Sequence, residues 1–279
     1  VRWVHVRHEE SGAFAAAAES ELNGIACCAG SSGPGHVHLI NGLYDAHRSN
    51  CPVLAIASTC PSDQFGTGYF QETDPIRLFD DCSGYNQMAV TPAQFARMLP
   101  AALQHAIHRR EVAVVGLPGD VAASPCAESP GASGPLPSHG IYRPLDGELR
   151  QLAEMIGSAE RITVFCGIGA REAHDEVVRL AAMLKAPVAY TFKAKMEVQY
   201  DNPYEIGMTG LLGLPSAYGA MHESDLLLLL GTDFPYDCFL PSECRIAQVD
   251  IRPERIGRRA RVELGLAGDV KETLQALFP

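Results

Sequence analysis

Short apolar runs alternate with stretches of helical length along the whole chain. The runs that we predict as strands are Trp3–Val6, Ile25–Ala29, Val53–Ala57, Val112–Gly116, Arg161–Cys166, Pro187–Tyr190, Asp225–Leu230 and Arg245–Ile251. The predicted helices are Glu9–Leu22, Val37–Arg48, Pro92–Arg109, Asp146–Gly157, Ala170–Leu184 and Val270–Leu277. Near-continuous apolar strands that alternate with helices are typical of parallel sheets covered on both faces. We therefore predict an α/β fold with two doubly wound parallel-sheet domains.

A segment rich in proline, serine and glycine interrupts this pattern after Pro118. It shows little periodicity, and a new series of strands and helices begins directly after it, as expected for a linker between domains. We predict a first domain over residues 1–122, a linker over 123–144 and a second domain over 145–279.

Charge and cysteine usage exclude several classes of protein. The formal net charge of −11 argues against a nucleic-acid partner, which requires a basic surface. The most basic stretch, residues 252–261, is interpreted as a solvated helix face. The nine cysteines include no CxxC pair, and Cys27 and Cys28 are adjacent within a predicted strand. Such usage indicates a reducing compartment, and with no signal peptide or bilayer-spanning run it predicts a cytoplasmic location.

Glu9 stands where the first predicted strand gives way to a helix. Gly33, Pro34 and Gly35 follow the next strand. Ligands of open α/β sheets bind outside the carboxyl ends of the strands, so Glu9 is the first candidate for a ligand-binding acid. The alternative is a glutamate at a helix start that is favoured by the helix dipole.

Glycine-containing loops also follow the strands of the second domain. Gly231 and Thr232 end the five-leucine run, Asp250 ends the following strand, and Gly167-Ile168-Gly169 precedes a predicted helix. A GxG turn can seat a pyrophosphate, and an acid at a strand end can bind ribose hydroxyls or cap a helix. These loops indicate a nucleotide-binding crevice but do not specify which nucleotide binds there.

Taken together, collinear motifs are spread along nearly the whole chain, from Arg7 to Gly257. They are RHEESGAFAAAAE, CAGSSGPGHVHLINGLYDAHR, GYFQETDP, VVGLPGDVA, YDNPYEIGMTGLLG, LLLLLGTDFPY and VDIRPERIG. In these motifs the chain resembles the thiamine-diphosphate-dependent pyruvate oxidase family, and most closely its quinone-dependent, flavin-containing pyruvate dehydrogenase branch. The resemblance implies a pyrimidine-binding domain at residues 1–122 and a central FAD- or nucleotide-binding domain at 145–279. It also implies oxidative decarboxylation of pyruvate or a related 2-keto acid to acetate and carbon dioxide, with electrons passing to FAD and then to a quinone.

The resemblance also assigns roles to individual residues. Glu9 is implied to hydrogen-bond N1′ of the thiamine aminopyrimidine and to promote activation of the cofactor, so we expect it to be buried. Phe70 and Gln71 are implied to lie near the thiazolium and the substrate, with a core aromatic as the alternative for Phe70. The other implied cofactor-binding residues are Gly33, Pro34 and Gly35 for thiamine, and Thr209, Gly210, Leu211, Leu212, Thr232, Asp233, Phe234, Pro235, Tyr236 and Asp250 for FAD. No metal site is predicted, and His36, His38 and His47 are interpreted as structural.

Members of the family carry a third, C-terminal domain that holds the diphosphate through Mg²⁺ and contains a GDG motif. The pairs Gly119-Asp120 and Gly268-Asp269 are each followed by valine here, and the chain opens at Val1. We therefore expect a chain that is trimmed at its N-terminus, lacks the diphosphate domain and is inactive alone. The resemblance also implies a homodimer or homotetramer, and peripheral inner-membrane association of full-length relatives. The alternatives are an acetolactate-synthase-like carboligase fragment and a non-catalytic flavin- or nucleotide-binding module.

Overall fold

A computed structural model describes residues 2–126, 134–136, 138 and 140–278. The chain divides into two compact units, residues 1–139 and 140–279. The first unit contains a four-stranded parallel sheet in the order β1-β2-β4-β3. Its strands are β1 (Ala26–Gly30), β2 (Val53–Thr59), β3 (Tyr85–Met88) and β4 (Val112–Pro118).

Helices cover both faces of this sheet. They are α1 (Glu9–Asn23), α2 (Pro34–Ser49), α3 (Pro75–Leu78), α4 (Pro92–Arg109) and α5 (Gly119–Ala123). Residues of α1 and α2 share one buried apolar cluster with alternate strand residues, and residues of α4 share the other. The starts of the helices follow local chemistry, since Pro34 occupies the first turn of α2 and Thr91 caps α4 by accepting from the Gln94 N–H.

The second unit contains a six-stranded parallel sheet in the order β10-β9-β8-β5-β6-β7. Its strands are β5 (Ile162–Cys166), β6 (Val188–Tyr190), β7 (Glu205–Met208), β8 (Leu226–Leu230), β9 (Arg245–Asp250) and β10 (Leu264–Ala267). Its helices are α6 (Asp146–Gly157), α7 (His174–Leu184), α8 (Lys195–Val198), α9 (Pro215–Glu223) and α10 (Val270–Leu277). The strand order reverses between the neighbouring strands β5 and β8, and such a switch point is where open α/β sheets bind ligands.

The five leucines of β8 show why this sheet is covered on both faces. Leu226, Leu228 and Leu230 pack into one apolar cluster, while Leu227 and Leu229 pack into the opposite cluster. Successive strand residues point to opposite faces, so an uninterrupted apolar run requires cover on both. The predicted α/β fold with two doubly wound parallel sheets is confirmed.

The predicted strand Trp3–Val6 is wrong. Residues 2–6 form no strand, and Trp3, Val4 and Val6 are exposed. Residues that favour β-structure form a strand only where a neighbour completes the ladder, and among the described residues β1 pairs with β2 alone. The sequence prediction also missed β3, β7, β10, α9 and the short helices α3, α5 and α8. Of these, β3 has a mixed polar composition and α9 holds glycine and an N-terminal proline.

Helix bounds were predicted with unequal success. Pro92–Arg109, Asp146–Gly157 and Val270–Leu277 are confirmed at both ends. The predicted helix Val37–Arg48 begins earlier, at Pro34, and Ala170–Leu184 begins later, at His174. The basic stretch 252–261 is not a helix face. It contains a short 3₁₀ turn at Pro253–Arg255 and then irregular backbone.

The predicted linker, residues 123–144, lies partly outside the described residues, which lack 127–133, 137 and 139. Its division from the two domains stays a prediction. Within the parts of the chain that the structure describes, no helix combines the length and the apolar character needed to traverse a bilayer.

Candidate functional site

Glu9 occupies the first position of α1, directly after the capping residue His8. The His8 Nδ1 atom accepts a hydrogen bond of 3.3 Å from the Glu10 N–H. Glu9 Oε2 lies 3.1 Å from Nδ1 of His38, which α2 contributes, and the His8 ring stacks on the His38 ring at 4.5 Å. The Glu9 side chain retains 31% exposure, so the expectation of a buried carboxyl is wrong for this chain. An open carboxylate at a helix start remains available to a ligand.

The surroundings of Glu9 favour its charged form. Its pKa lies below the ordinary value, chiefly because its carboxylate accepts a hydrogen bond from its own backbone N–H at the start of α1. The hydrogen bond with His38 lowers the pKa further, and partial desolvation opposes both effects. The carboxyl is therefore ionised at neutral pH, as a proton-accepting group must be.

The first turn of α2 presents bare backbone to the Glu9 carboxylate. A Cβ atom on Gly35 would lie 3.4 Å from Glu9 Oε1 and 2.3 Å from Ser31 Oγ, so this position has no room for a side chain. Gly33 has φ +64°, which favours glycine, and a Cβ there would lie 2.7 Å from Cβ of Gln71. Pro34 begins α2 between them. The structure thus brings Glu9, Gly33, Pro34, Gly35 and Gln71 together, and their role in binding a cofactor stays a prediction.

Phe70 and Gln71 belong to a loop that a single carboxylate organises. Glu72 accepts hydrogen bonds from the N–H groups of Gly66, Gly68 (2.8 Å) and Tyr69 (3.2 Å). Phe70 is 77% exposed, so the alternative of a core aromatic is wrong. An exposed aromatic next to a glutamine in a fixed loop is suited to contact a ligand.

His8, Glu9 and His38 form the one metal-capable group found among the described residues, with candidate ligand atoms within 4.8 Å of one another. The two imidazole rings are stacked with an interplanar angle of 23°, so their in-plane lone pairs run side by side and do not converge on one point. We assign no ion to this group. Sequence reasoning had considered His38 only as structural, and missed it as the partner of Glu9. Its position one turn after the Gly-Pro-Gly loop was the available signal.

In the second unit, the loops after β5 and β8 lie against each other at the switch point. Gly231 has φ +60°, and a Cβ on Gly169 would lie 2.7 Å from the Gly231 Cα. The Gly169 N–H donates to the Gly231 carbonyl at 2.9 Å. The predicted pyrophosphate seat on a helix start is not seen at this GxG, since a 3₁₀ helix spans Ile168–Ala170 and α7 begins only at His174. The glycines instead permit close contact between the two loops.

Thr209 follows β7 and carries an unpaired polar atom. It is 5% exposed, and its Oγ1 is buried without a hydrogen-bond partner among the described residues. A buried hydroxyl left without a partner is costly, and a polar ligand atom would satisfy it. Gly210 packs against the Phe234 ring, while Leu211 and Leu212 are exposed. These features fit a nucleotide or flavin.

The remaining predicted residues lie around the ends of β8 and β9. Thr232 is buried, Pro235 and Tyr236 are exposed, and Asp233 forms ion pairs with Arg258 (3.0 Å) and Arg259 (3.3 Å). Asp250 is buried, and burial raises its pKa. Asp250 Oδ1 accepts from the Arg252 N–H at 2.9 Å. The carboxylate therefore stabilises the turn that follows β9, and binding of a ribose by Asp250 stays a prediction.

Comparison with known families identifies two domains in this chain. Residues 1–78 match the thiamine pyrophosphate enzyme N-terminal TPP binding domain, and residues 149–277 match the thiamine pyrophosphate enzyme central domain. The chain belongs to the thiamine pyrophosphate (thiamine diphosphate) enzyme family. Glu9, the Gly33–Gly35 loop and the Phe70-Gln71 pair fall in the matched N-terminal domain. The predicted FAD-binding residues fall in the central domain.

Individual relatives support the family without resolving its branch. An uncharacterized 42.6 kDa protein of Pseudomonas amyloderamosa is 50% identical, covering all of this chain and 71% of that protein. The putative thiamine pyrophosphate-containing protein YdaP of Bacillus subtilis is 36% identical over 96% of this chain and 47% of its own length. Pyruvate oxidase of Lactiplantibacillus plantarum is 32% identical over all of this chain and 47% of its own length. An acetolactate synthase large subunit of Corynebacterium glutamicum is 30% identical over all of this chain and 46% of its own length. The chain thus spans about half the length of these three named relatives.

Proposed function

We propose that this chain forms the pyrimidine-binding and central domains of a thiamine-diphosphate- and FAD-dependent pyruvate:quinone oxidoreductase. The observation that carries the proposal is the ionised Glu9 carboxylate beside the bare backbone of Gly35. Identity of 32% with a pyruvate oxidase supports a 2-keto acid as the substrate. In this proposal Mg²⁺ and the diphosphate are bound by a domain outside residues 1–279. The active assembly is a homodimer or homotetramer.

Glu9 has the chemistry that the proposal requires. Glu9 and Gly35 would hold the pyrimidine end of thiamine diphosphate, and the bound cofactor would supply a carbon nucleophile and an electron sink for decarboxylation. Glu9 Oε1 faces the Gly35 backbone and can accept, hold and return a proton on a pyrimidine nitrogen. His38 orients the other carboxylate oxygen through its 3.1 Å contact with Oε2.

FAD is proposed for the second unit on the basis of the orphaned Thr209 hydroxyl and the loops at the switch point. The buried Thr209 Oγ1 would donate to or accept from a polar flavin atom, and the Gly231–Thr232 loop would line the flavin through its backbone. Flavin bound there would receive electrons and pass them to a quinone.

A carboligase of the acetolactate synthase type is the second candidate. It is favoured by 30% identity to an acetolactate synthase large subunit, close to the value for the pyruvate oxidase. Analysis of the products that the complete enzyme forms from pyruvate distinguishes the two candidates. Acetate with reduction of a quinone identifies the oxidoreductase, whereas acetolactate without net electron transfer identifies the carboligase.

The flavin assignment predicts a yellow protein whose colour depends on Thr209. Thr209→Val preserves side-chain shape but removes the hydroxyl, so we expect bound FAD per chain to fall at least about fivefold, the equivalent of one hydrogen bond. The measurement is the visible absorption spectrum with identification of the released cofactor. Thr67→Val, an exposed threonine of the first unit, serves as the control and should retain full flavin. Equal FAD content in Thr209→Val and the control would contradict the assignment.

The proposed division of labour predicts that a polypeptide of residues 1–279 alone does not turn over pyruvate. Without a domain that holds the diphosphate, the contacts at Glu9 and Gly35 grip only the pyrimidine end of the cofactor. Release of labelled carbon dioxide from carboxyl-labelled pyruvate, with thiamine diphosphate, Mg²⁺ and a quinone analogue present, is the measurement. Release above the background given by the Glu9→Gln chain would overturn this expectation.

A further inference from the structure

His36 is a fully buried histidine in the first turn of α2, directly after Gly35. Its Nδ1 lies 2.7 Å from the Ser58 carbonyl oxygen, and its Nε2 lies 2.6 Å from Thr73 Oγ1. A carbonyl can only accept, so Nδ1 carries the proton and Nε2 of the neutral ring accepts from the Thr73 hydroxyl. Burial lowers the pKa of His36, which favours this neutral form.

These two hydrogen bonds join three separate segments of the first unit. Ser58 lies near the carboxyl end of β2, and His36 lies one residue after the glycine that faces Glu9. Thr73 lies two residues after Gln71, at the end of the loop that carries Phe70. The His36 ring therefore fixes one end of this loop to the scaffold that carries the Gly33–Gly35 turn.

Hydrogen bonds within the loop hold residues 66–72 together, so a contact at Thr73 sets the position of the whole loop. Glu72, the neighbour of Thr73, accepts from three N–H groups between Gly66 and Tyr69. At the other side of the loop, the Gln71 backbone, at φ +58°, lies against Gly33. Movement of Thr73 would therefore carry Phe70 and Gln71 with it.

We propose that His36 is a positioning residue that holds Phe70 and Gln71 in register with Glu9 through its paired hydrogen bonds to Ser58 and Thr73. The proposal deepens the proposed function and rests on it for the role of Phe70 and Gln71. Sequence reasoning interpreted His36 as structural, and the ring does lie in the core, with Phe79 edge-on at 5.8 Å. Its hydrogen bonds to Ser58 and Thr73 also fix the position of the loop that carries Phe70 and Gln71.

Thr73→Val tests the tether because it keeps the shape of the side chain and removes the hydroxyl, which leaves a buried imidazole nitrogen unpaired. In the 279-residue chain we expect hydrogen exchange of residues 64–73 to accelerate roughly tenfold, with the strands of the second unit unchanged. Thr73→Ser, which keeps the hydroxyl, should restore slow exchange. His36→Asn combined with Thr73→Val should accelerate exchange no more than the stronger single variant, since both remove the same contact.

Kinetics of the complete enzyme then test the effect on the site. Thr73→Val should lower kcat/KM for the 2-keto acid roughly tenfold, with FAD content unchanged and Thr73→Ser close to wild type. Unchanged exchange in Thr73→Val would overturn the tether. Faster exchange with unchanged kcat/KM would overturn the positioning role. Neither result bears on Glu9, so the failure of the proposed function itself, an active Glu9→Gln enzyme, is a separate outcome.

Discussion

Glu9→Gln is expected to lower thiamine-diphosphate-dependent turnover of the complete enzyme by about a thousandfold, within the range known for loss of a general acid or base. Glutamine has nearly the same volume and can still hydrogen-bond a pyrimidine nitrogen. It cannot take up and return a proton. Because Glu9 is partly exposed and begins a helix, the substitution should leave the fold intact. Turnover of pyruvate under saturating cofactor, with flavin content as the check on folding, is the measurement.

The neighbouring Glu10 supplies the matched control. It lies in the same turn of α1, and its Oε1 accepts a hydrogen bond from Nδ2 of Asn41. Glu10→Gln should therefore change turnover by less than about threefold, the scale of a single surface interaction. If both variants lose turnover equally, the loss comes from the helix start as a whole and the assignment of Glu9 fails. If Glu9→Gln stays active, no proton transfer depends on this carboxylate.

The pH dependence of turnover adds a separate test of Glu9. Its pKa is lowered by its own backbone N–H and by His38. Activity that needs the ionised carboxylate should therefore persist below the ordinary pKa of a glutamate, which is about 4.3. His38→Leu removes one of the two stabilising hydrogen bonds, so the acid limb of the profile should move to higher pH.

The fold could be predicted from the sequence because its main signals are local. The five leucines of β8 indicate a buried strand, and the periodicity of Pro92–Arg109 indicates a helix, without reference to the rest of the chain. The errors arose where neighbours decide the outcome. Trp3–Val6 has strand composition but no pairing partner among the described residues, whereas β3 is polar and is a strand because it pairs with β4.

The candidate site also has features that the sequence predicts and features that it does not. Glu9 and the Gly-Pro-Gly loop were predictable because they stand at ends of elements, where such sheets bind ligands. The pairing of Glu9 with His38 was not predictable, and neither was the tether at His36. The hydrogen bonds involved join side chains to residues 29, 22 and 37 positions away, and local sequence patterns do not report such contacts. The partial exposure of Glu9 was also not predicted, since sequence gives no measure of how deeply a helix start is covered.

Gly231→Ala is expected to be the most damaging single-methyl substitution that we propose, destabilising the second unit by about 3–5 kcal/mol. Gly231 has φ +60°, where an L side chain is strained. The new Cβ would also lie 2.5 Å from Cα and 2.7 Å from the carbonyl carbon of Gly169. Both atoms are backbone, so the contact is relieved only by separating the loops that follow β5 and β8. We expect loss of bound FAD together with a lower urea midpoint.

Gly257→Ala separates the two causes of this damage. Gly257 has φ +75°, but a Cβ there would meet nothing within 4 Å, so this variant carries the backbone strain alone. Its expected cost is about 1 kcal/mol, with FAD retained. The difference between the two variants then measures the contact between the Gly231 and Gly169 loops. Equal urea midpoints for the two variants would show that the close approach contributes nothing, and the glycines at the switch point would then be needed only for their backbone angles.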